Sequence, residues 1–235
     1  MHRSADGRFV YVALFGADKV AVISTATDMV VGEYVTGGPG ARPRTPRASI
    51  DGKSLWVTNF NMGEIVELNP ATGEILRTIK AGFGASDVLL TKDGNTAYVS
   101  PRYGNELQII DLSSNTIVHE IDLGSIPGPF SLSPDGKLMV IGLRDSPAMV
   151  AIVDTSAMTV KQVSLPGSTT GHNAVSGDGR FAVIAVEGLS KGPPDPGVAV
   201  LDLRSLSVTA FYRYPGWEKP HGLIFEPSGD GDTAD

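Results

Sequence analysis

The chain has 235 residues, enough to bury a sizeable interior, and its formal net charge of −7 argues against general nucleic-acid binding, which wants a basic face. Zero cysteines exclude disulfides and thiolate metal sites while leaving both oxidising and reducing compartments open. With 28 Gly, 16 Pro and 7% aromatic residues, the composition is that of a turn-rich chain of short strands.

Taken in chain order, a polar Asp-Gly turn followed by a short apolar strand occurs at Asp6-Gly7, Asp51-Gly52, Asp93-Gly94, Asp135-Gly136 and Asp178-Gly179. The spacings are 45, 42, 42 and 43 residues, a period that fits propeller blades of several strands each. A second column of residues keeps the same period. Ser24, Asn69, Asp111, Asp154 and Asp202 each end an apolar strand and precede a small polar cluster, where such side chains bond to turn backbone.

In the third unit the four expected strands are roughly ASDVLLT, NTAYVS, ELQIIDL and TIVHEIDL. No stretch carries a sustained helical period. The fold class is therefore all-β, a β-propeller of four-stranded antiparallel blades with five repeat units. The expected domain is a single propeller over residues 1–228, with 229–235 a disordered tail.

The units read as SPDGK-x-x-YV followed by V-x-VID, seen as SPDGKLMVIGL and GRFVYVALFGADKVAVIS, with Tyr11-Val12, Trp56-Val57-Thr58-Asn59 and Tyr98-Val99-Ser100 at one place in the repeat. This resembles the YVTN-type β-propeller repeat. The resemblance spans almost the whole chain and implies fold more firmly than function, because one architecture hosts unrelated activities. Such propellers usually close with seven blades, and here five units are present. Two alternatives follow: a five-bladed ring in which the C-terminal strand Gly222 to Phe225 lies beside Phe9 to Leu14, or a five-unit piece of a seven-bladed propeller. The resemblance also implies a periplasmic or extracellular home, although no signal peptide and no membrane-spanning apolar run is read in the sequence.

Strand parity places the connections between second and third strands, and between successive blades, at the end opposite the Asp-Gly turns. The unusual residues concentrate there: Arg42, Arg44 and Arg47 in GARPRTPRA, Asn59, Asp87, Arg102 with Tyr103, Arg144 with Asp145, His172, Glu187, and His221 in KPHGLIF. Phe15, Phe60, Arg102, Arg144 and Glu187 each lie nine residues past their turn aspartate, hence at one height in their blades. Clustered guanidinium groups in an acidic chain point to an anion, since arginine holds carboxylate or phosphate in a two-pronged fork. The competing reading is a set of solvated arginines neutralised by Asp87, Asp145 and Glu187. The ligand-binding set expected is Arg44, Arg47, Asn59, Asp87, Arg102, Arg144, His172, Glu187 and His221. His2 and His119 read as surface residues.

No nucleophile elbow, phosphate loop, zinc-protease helix or dinucleotide fingerprint is present, so no catalytic residue is assigned. The function expected is a binding module for a small anion or a protein or peptide partner, with no nucleic acid. The alternative, implied by the resemblance to lactonase-type and nitrite-reductase haem-domain propellers, is an enzyme with its site at the same end, either a lactonase-like hydrolase or a redox protein holding a haem or divalent metal.

Overall fold

The computed structural model describes residues 1–187 and 196–213. Gly222 to Phe225 and His221 lie outside the described residues, as do the tail and most of the insertion LSKGPPDPG.

Among the described residues twenty strands form five antiparallel four-stranded sheets, and there is no helix. The expected all-β propeller architecture is what the chain adopts. Blade 1 contains β1 (His2–Arg3), β2 (Phe9–Leu14), β3 (Lys19–Ser24) and β4 (Val30–Val35). Blade 2 contains β5 (Pro43–Ala48), β6 (Leu55–Asn59), β7 (Glu64–Leu68) and β8 (Ile75–Lys80). Blade 3 contains β9 (Ala85–Leu90), β10 (Thr96–Pro101), β11 (Glu106–Asp111) and β12 (Thr116–Asp122), matching the strands read in its sequence. Blade 4 contains β13 (Pro127–Leu132), β14 (Leu138–Leu143), β15 (Met149–Asp154) and β16 (Thr159–Ser164). Blade 5 contains β17 (Thr169–Val175), β18 (Phe181–Glu187), β19 (Gly197–Asp202) and β20 (Ser207–Arg213). Each blade is a meander whose strands pair in chain order, so every pairing joins sequence neighbours.

The chain divides into two compact units, one over Met1–Pro127 and one from Gly128 onward. In the first, β5 packs against β2, and β9 packs against β5 and β6. In blades 2 to 4 the second and third strands are mostly buried and the fourth mostly exposed, which is why the apolar runs are continuous in the former and interrupted in the latter. Tyr11, Val20, Val22, Leu55, Val57, Val66 and Leu68 form the core between blades 1 and 2. Trp56, Ile65, Ile79, Val88, Val99 and Ile110 fill that between blades 2 and 3. In the second unit β17 packs against β14, and Val140, Val150, Ile152, Ile184 and Leu201 lie in the shared core.

The Asp-Gly turns are five copies of one device. At each, a Ser or Thr two residues earlier donates its hydroxyl to the aspartate, at 2.6–2.7 Å, and the N–H two residues later donates to the same oxygen, at 3.0–3.1 Å. The glycine follows at φ of 70° to 76°, the left-handed region open to glycine at no steric cost. These bonds favour the ionised carboxylate, and all five aspartates are held below the usual range, Asp6 at about 2. At the second repeat column, Asn69, Asp111, Asp154 and Asp202 accept the N–H groups of the turn that follows, as read from the sequence.

His2 corrects the reading of that residue as a surface group. Sitting in β1 beside β5, it is partly buried, and its Nδ1 accepts the Ala48 N–H at 3.2 Å. Burial first, and then the charge of Arg47, lower its pKa to about 4. An unfolded histidine takes a proton near pH 6.5, which the folded site refuses until about pH 4. The unfolded state therefore binds more protons between those values, and stability is lost as the pH falls from 6.5 to about 4. His2→Gln is expected to remove about 2 kcal/mol of that acid-side loss. Urea unfolding of both proteins at pH 7 and pH 4.5 checks it, and identical pH dependence would reject the assignment.

Candidate functional site

The ends of blades 1 to 3 opposite the Asp-Gly turns are built on a backbone scaffold. Asp18, in the turn after β2, accepts the N–H of Gly40 at 2.7 Å and of Arg42 at 2.8 Å. Those bonds hold its carboxyl below the usual range and fix Arg42 at φ +53°. Phe60 N–H then donates to the Arg42 carbonyl at 3.1 Å, Gly84 N–H to the Phe60 carbonyl at 3.0 Å, and Arg102 N–H to the Gly84 carbonyl at 2.9 Å. The connections of three blades are thus laced together by backbone bonds and the Asp18 carboxylate.

On this scaffold stands a row of aromatic rings. Phe15 lies 6.0 Å from Phe60, Phe60 meets Tyr103 edge-on at 5.8 Å, and Tyr103 stacks on Phe83 at 5.2 Å with 18° between the planes. Both spacings and tilts are those favoured by the ring quadrupole. Arg42 lies over the face of Phe15 and Arg44 over that of Phe60, each at 5.3 Å. Phe60 is buried by these neighbours, whereas Phe15, Phe83 and Tyr103 are 40%, 61% and 66% exposed.

The nine residues singled out from the sequence fall into different settings. Arg44, near the start of β5, joins the aromatic row. Arg102 lies beside Gly84 in the same stretch and enters no ion pair among the described residues. Arg47 lies further along β5, half-buried, with its Nη2 at 3.4 Å from the buried Asp87 and its Nε donating to the Val88 carbonyl. Asn59 is fully buried, its Nδ2 donating to the Thr36 carbonyl at 2.7 Å, with Glu64 alongside in an ion pair to Lys80 at 3.0 Å. In the second unit Arg144 pairs with the buried Glu187 at 3.7 Å, and His172 is exposed on β17 at the break in its register between Thr170 and Asn173. His221 lies outside the described residues.

Two carboxylates weighed as neutralising partners, Asp87 and Glu187, therefore do pair with arginines, while Arg42 and Arg44 lie on the aromatic row instead. The sequence register marked Phe15, Phe60 and Arg102 as level with one another. It carried no sign that Phe83, from the connection between blades, completes the row. Among the described residues no group of three or more His, Asp or Glu stands close enough to hold a metal ion, and no helix is long and apolar enough to cross a membrane.

Known proteins bear out the architecture. The "Uncharacterized protein YncE" of Salmonella typhimurium is 24% identical over 143 residues, which is 60% of this chain and 37% of that protein. "Antigen Lp49" of Leptospira interrogans is 24% identical over 196 residues, 75% of this chain and 42% of its own length. The chain thus spans about two fifths of these relatives. Among solved structures, Kuenenia stuttgartiensis hydrazine synthase superposes with a TM-score of 0.78 at 21% identity, over 87% of this chain and 62% of that one, a likeness of fold alone. A family model described as YNCE-like beta-propeller matches residues 1–133, more than half of the chain. The protein belongs to the YNCE-like β-propeller family.

Proposed function

We propose that the chain is a recognition module, and that Arg42 and Arg102, at the laced end of blades 1 to 3, each meet a carboxylate or phosphate group of a ligand. The observation that carries this reading is the Arg42 guanidinium laid over Phe15, with Arg102 bonded through its backbone N–H into the same scaffold. A guanidinium stacked on a ring loses side-chain freedom beforehand, so less is lost when its N–H edge grips an anion. The chain as a whole carries −7, so these arginines are cations on an acidic protein.

Titration calorimetry with citrate and inorganic phosphate, at low and moderate salt, tests the proposal. The Arg42→Ala and Arg102→Ala double variant is expected to bind at least about ten-fold more weakly, as charge-assisted contacts of about 1.5–3 kcal/mol require. Binding that is insensitive to salt, or unaltered in the variant, would overturn it.

A further inference from the structure

An anion site alone leaves the exposed rings without a purpose. Phe15, Phe83 and Tyr103 together present on the order of 300 Å² of aromatic surface to solvent, at fractional exposures of 40%, 61% and 66%. Contiguous apolar surface of that size matches the largest patch on an ordinary monomer, which is often a functional one. The loops under it carry the interlocking bonds already described, so the rings are presented rather than left over by a loose segment.

The size of the patch decides what fits. A stable dimer needs about 800 Å² from each partner, well beyond this row, so a second copy is a poor occupant. Measured along the ring centroids, the row runs on the order of 15 Å, the reach of about five extended residues. Charge decides the rest. Arg42 and Arg102 flank the rings, and the chain as a whole carries −7, which favours a short acidic segment over a polyanion.

We propose that the row is the docking surface for an acidic peptide segment of a partner protein. An aromatic or large aliphatic side chain of the segment lies against Phe83 and Tyr103, and carboxylates on either side of it meet Arg42 and Arg102. Stacked aromatic anchors surrounded by charge-assisted contacts concentrate binding energy in few residues, which is how a five-residue segment gains measurable affinity. This inference rests on the anion-binding reading and adds the apolar anchor to it.

Fluorescence anisotropy with three labelled five-residue peptides tests it. The first has a central Trp between two Asp and two Glu, the second replaces the Trp by Ala, and the third keeps the Trp between four lysines. The expected result is saturable binding of the first, at least about ten-fold tighter than the second or third. Phe83→Ala with Tyr103→Ala should erase the advantage of the Trp peptide and leave the Ala peptide unchanged, and Tyr103→Phe should preserve it. Equal affinity for the Trp and Ala acidic peptides would overturn the apolar anchor while the anion reading stands. Failure of both acidic peptides to bind would overturn the two together. Preference for a single-stranded oligonucleotide, or a dimer in sedimentation that the Phe83 and Tyr103 substitutions dissociate, would assign the row to a different occupant and overturn the proposal.

Discussion

Trp56→Ala is expected to destabilise the first compact unit by about 3–5 kcal/mol, the range for emptying a large buried aromatic site. Trp56 is 2% exposed in β6 and packs with Ile65, Ile79, Val88, Val99 and Ile110 in the core shared by blades 2 and 3. Its ring is also roofed by Arg77, whose guanidinium sits 4.9 Å from the indole and bonds to Glu67 and to the Leu112 carbonyl. Removing the indole opens a void that strands bonded on both sides cannot close, and it strips the apolar floor from under a half-buried cation. Trp56→Phe keeps most of the contact and should cost about half as much. Urea denaturation followed by circular dichroism provides the measurement, with the midpoint falling and the slope unchanged. A loss below about 1 kcal/mol would mean that the blade interface relaxes freely.

Asp87→Ala is expected to cost about 2–4 kcal/mol, because it leaves the half-buried Arg47 guanidinium without its carboxylate. The same substitution removes the acceptor of the Val88 N–H, bonded to Asp87 Oδ1 at 2.9 Å. Replacing Arg47 by Met in the same chain should recover part of the loss, since an apolar pair of similar volume carries no uncompensated charge. Strictly additive single and double variants would show that the two groups do not act as a pair. Peptide binding at the aromatic row should survive the substitution, since Asp87 belongs to the strand interior.

The blades were legible because their signals are local. An Asp-Gly turn, its Ser or Thr two residues earlier and the apolar strand behind it lie within a dozen residues, and the strands they delimit pair with sequence neighbours. The site was legible only in part. Phe15, Phe60 and Arg102 share a register that counting reveals, yet the stacking of Phe83 on Tyr103 depends on the path of a connection between two blades. Asn59 reads from sequence as a polar group offered to a ligand. It is instead buried against Gly37, where a Cβ would come within 3.1 Å of the Asn59 amide, and bonded to the Thr36 carbonyl, both from the connection between blades 1 and 2. His2 eluded the reading for a related reason: a two-residue strand is too short to show an alternating pattern, and its packing is supplied by β5.

The five identical Asp-Gly turns make one end of every blade self-sufficient. Each closes with bonds made inside a stretch of five residues and asks nothing of the residues at the opposite end. The opposite connections differ from blade to blade, with Phe15, Phe60, Arg102, Arg144 and Glu187 each nine residues past the turn aspartate. A blade is therefore a cassette with a constant handle and an interchangeable tip. Grafting a tip from one blade to another is expected to change the side chains displayed at that end while the handle keeps the hairpin in register, so the surface chemistry of this scaffold can be exchanged without a new fold.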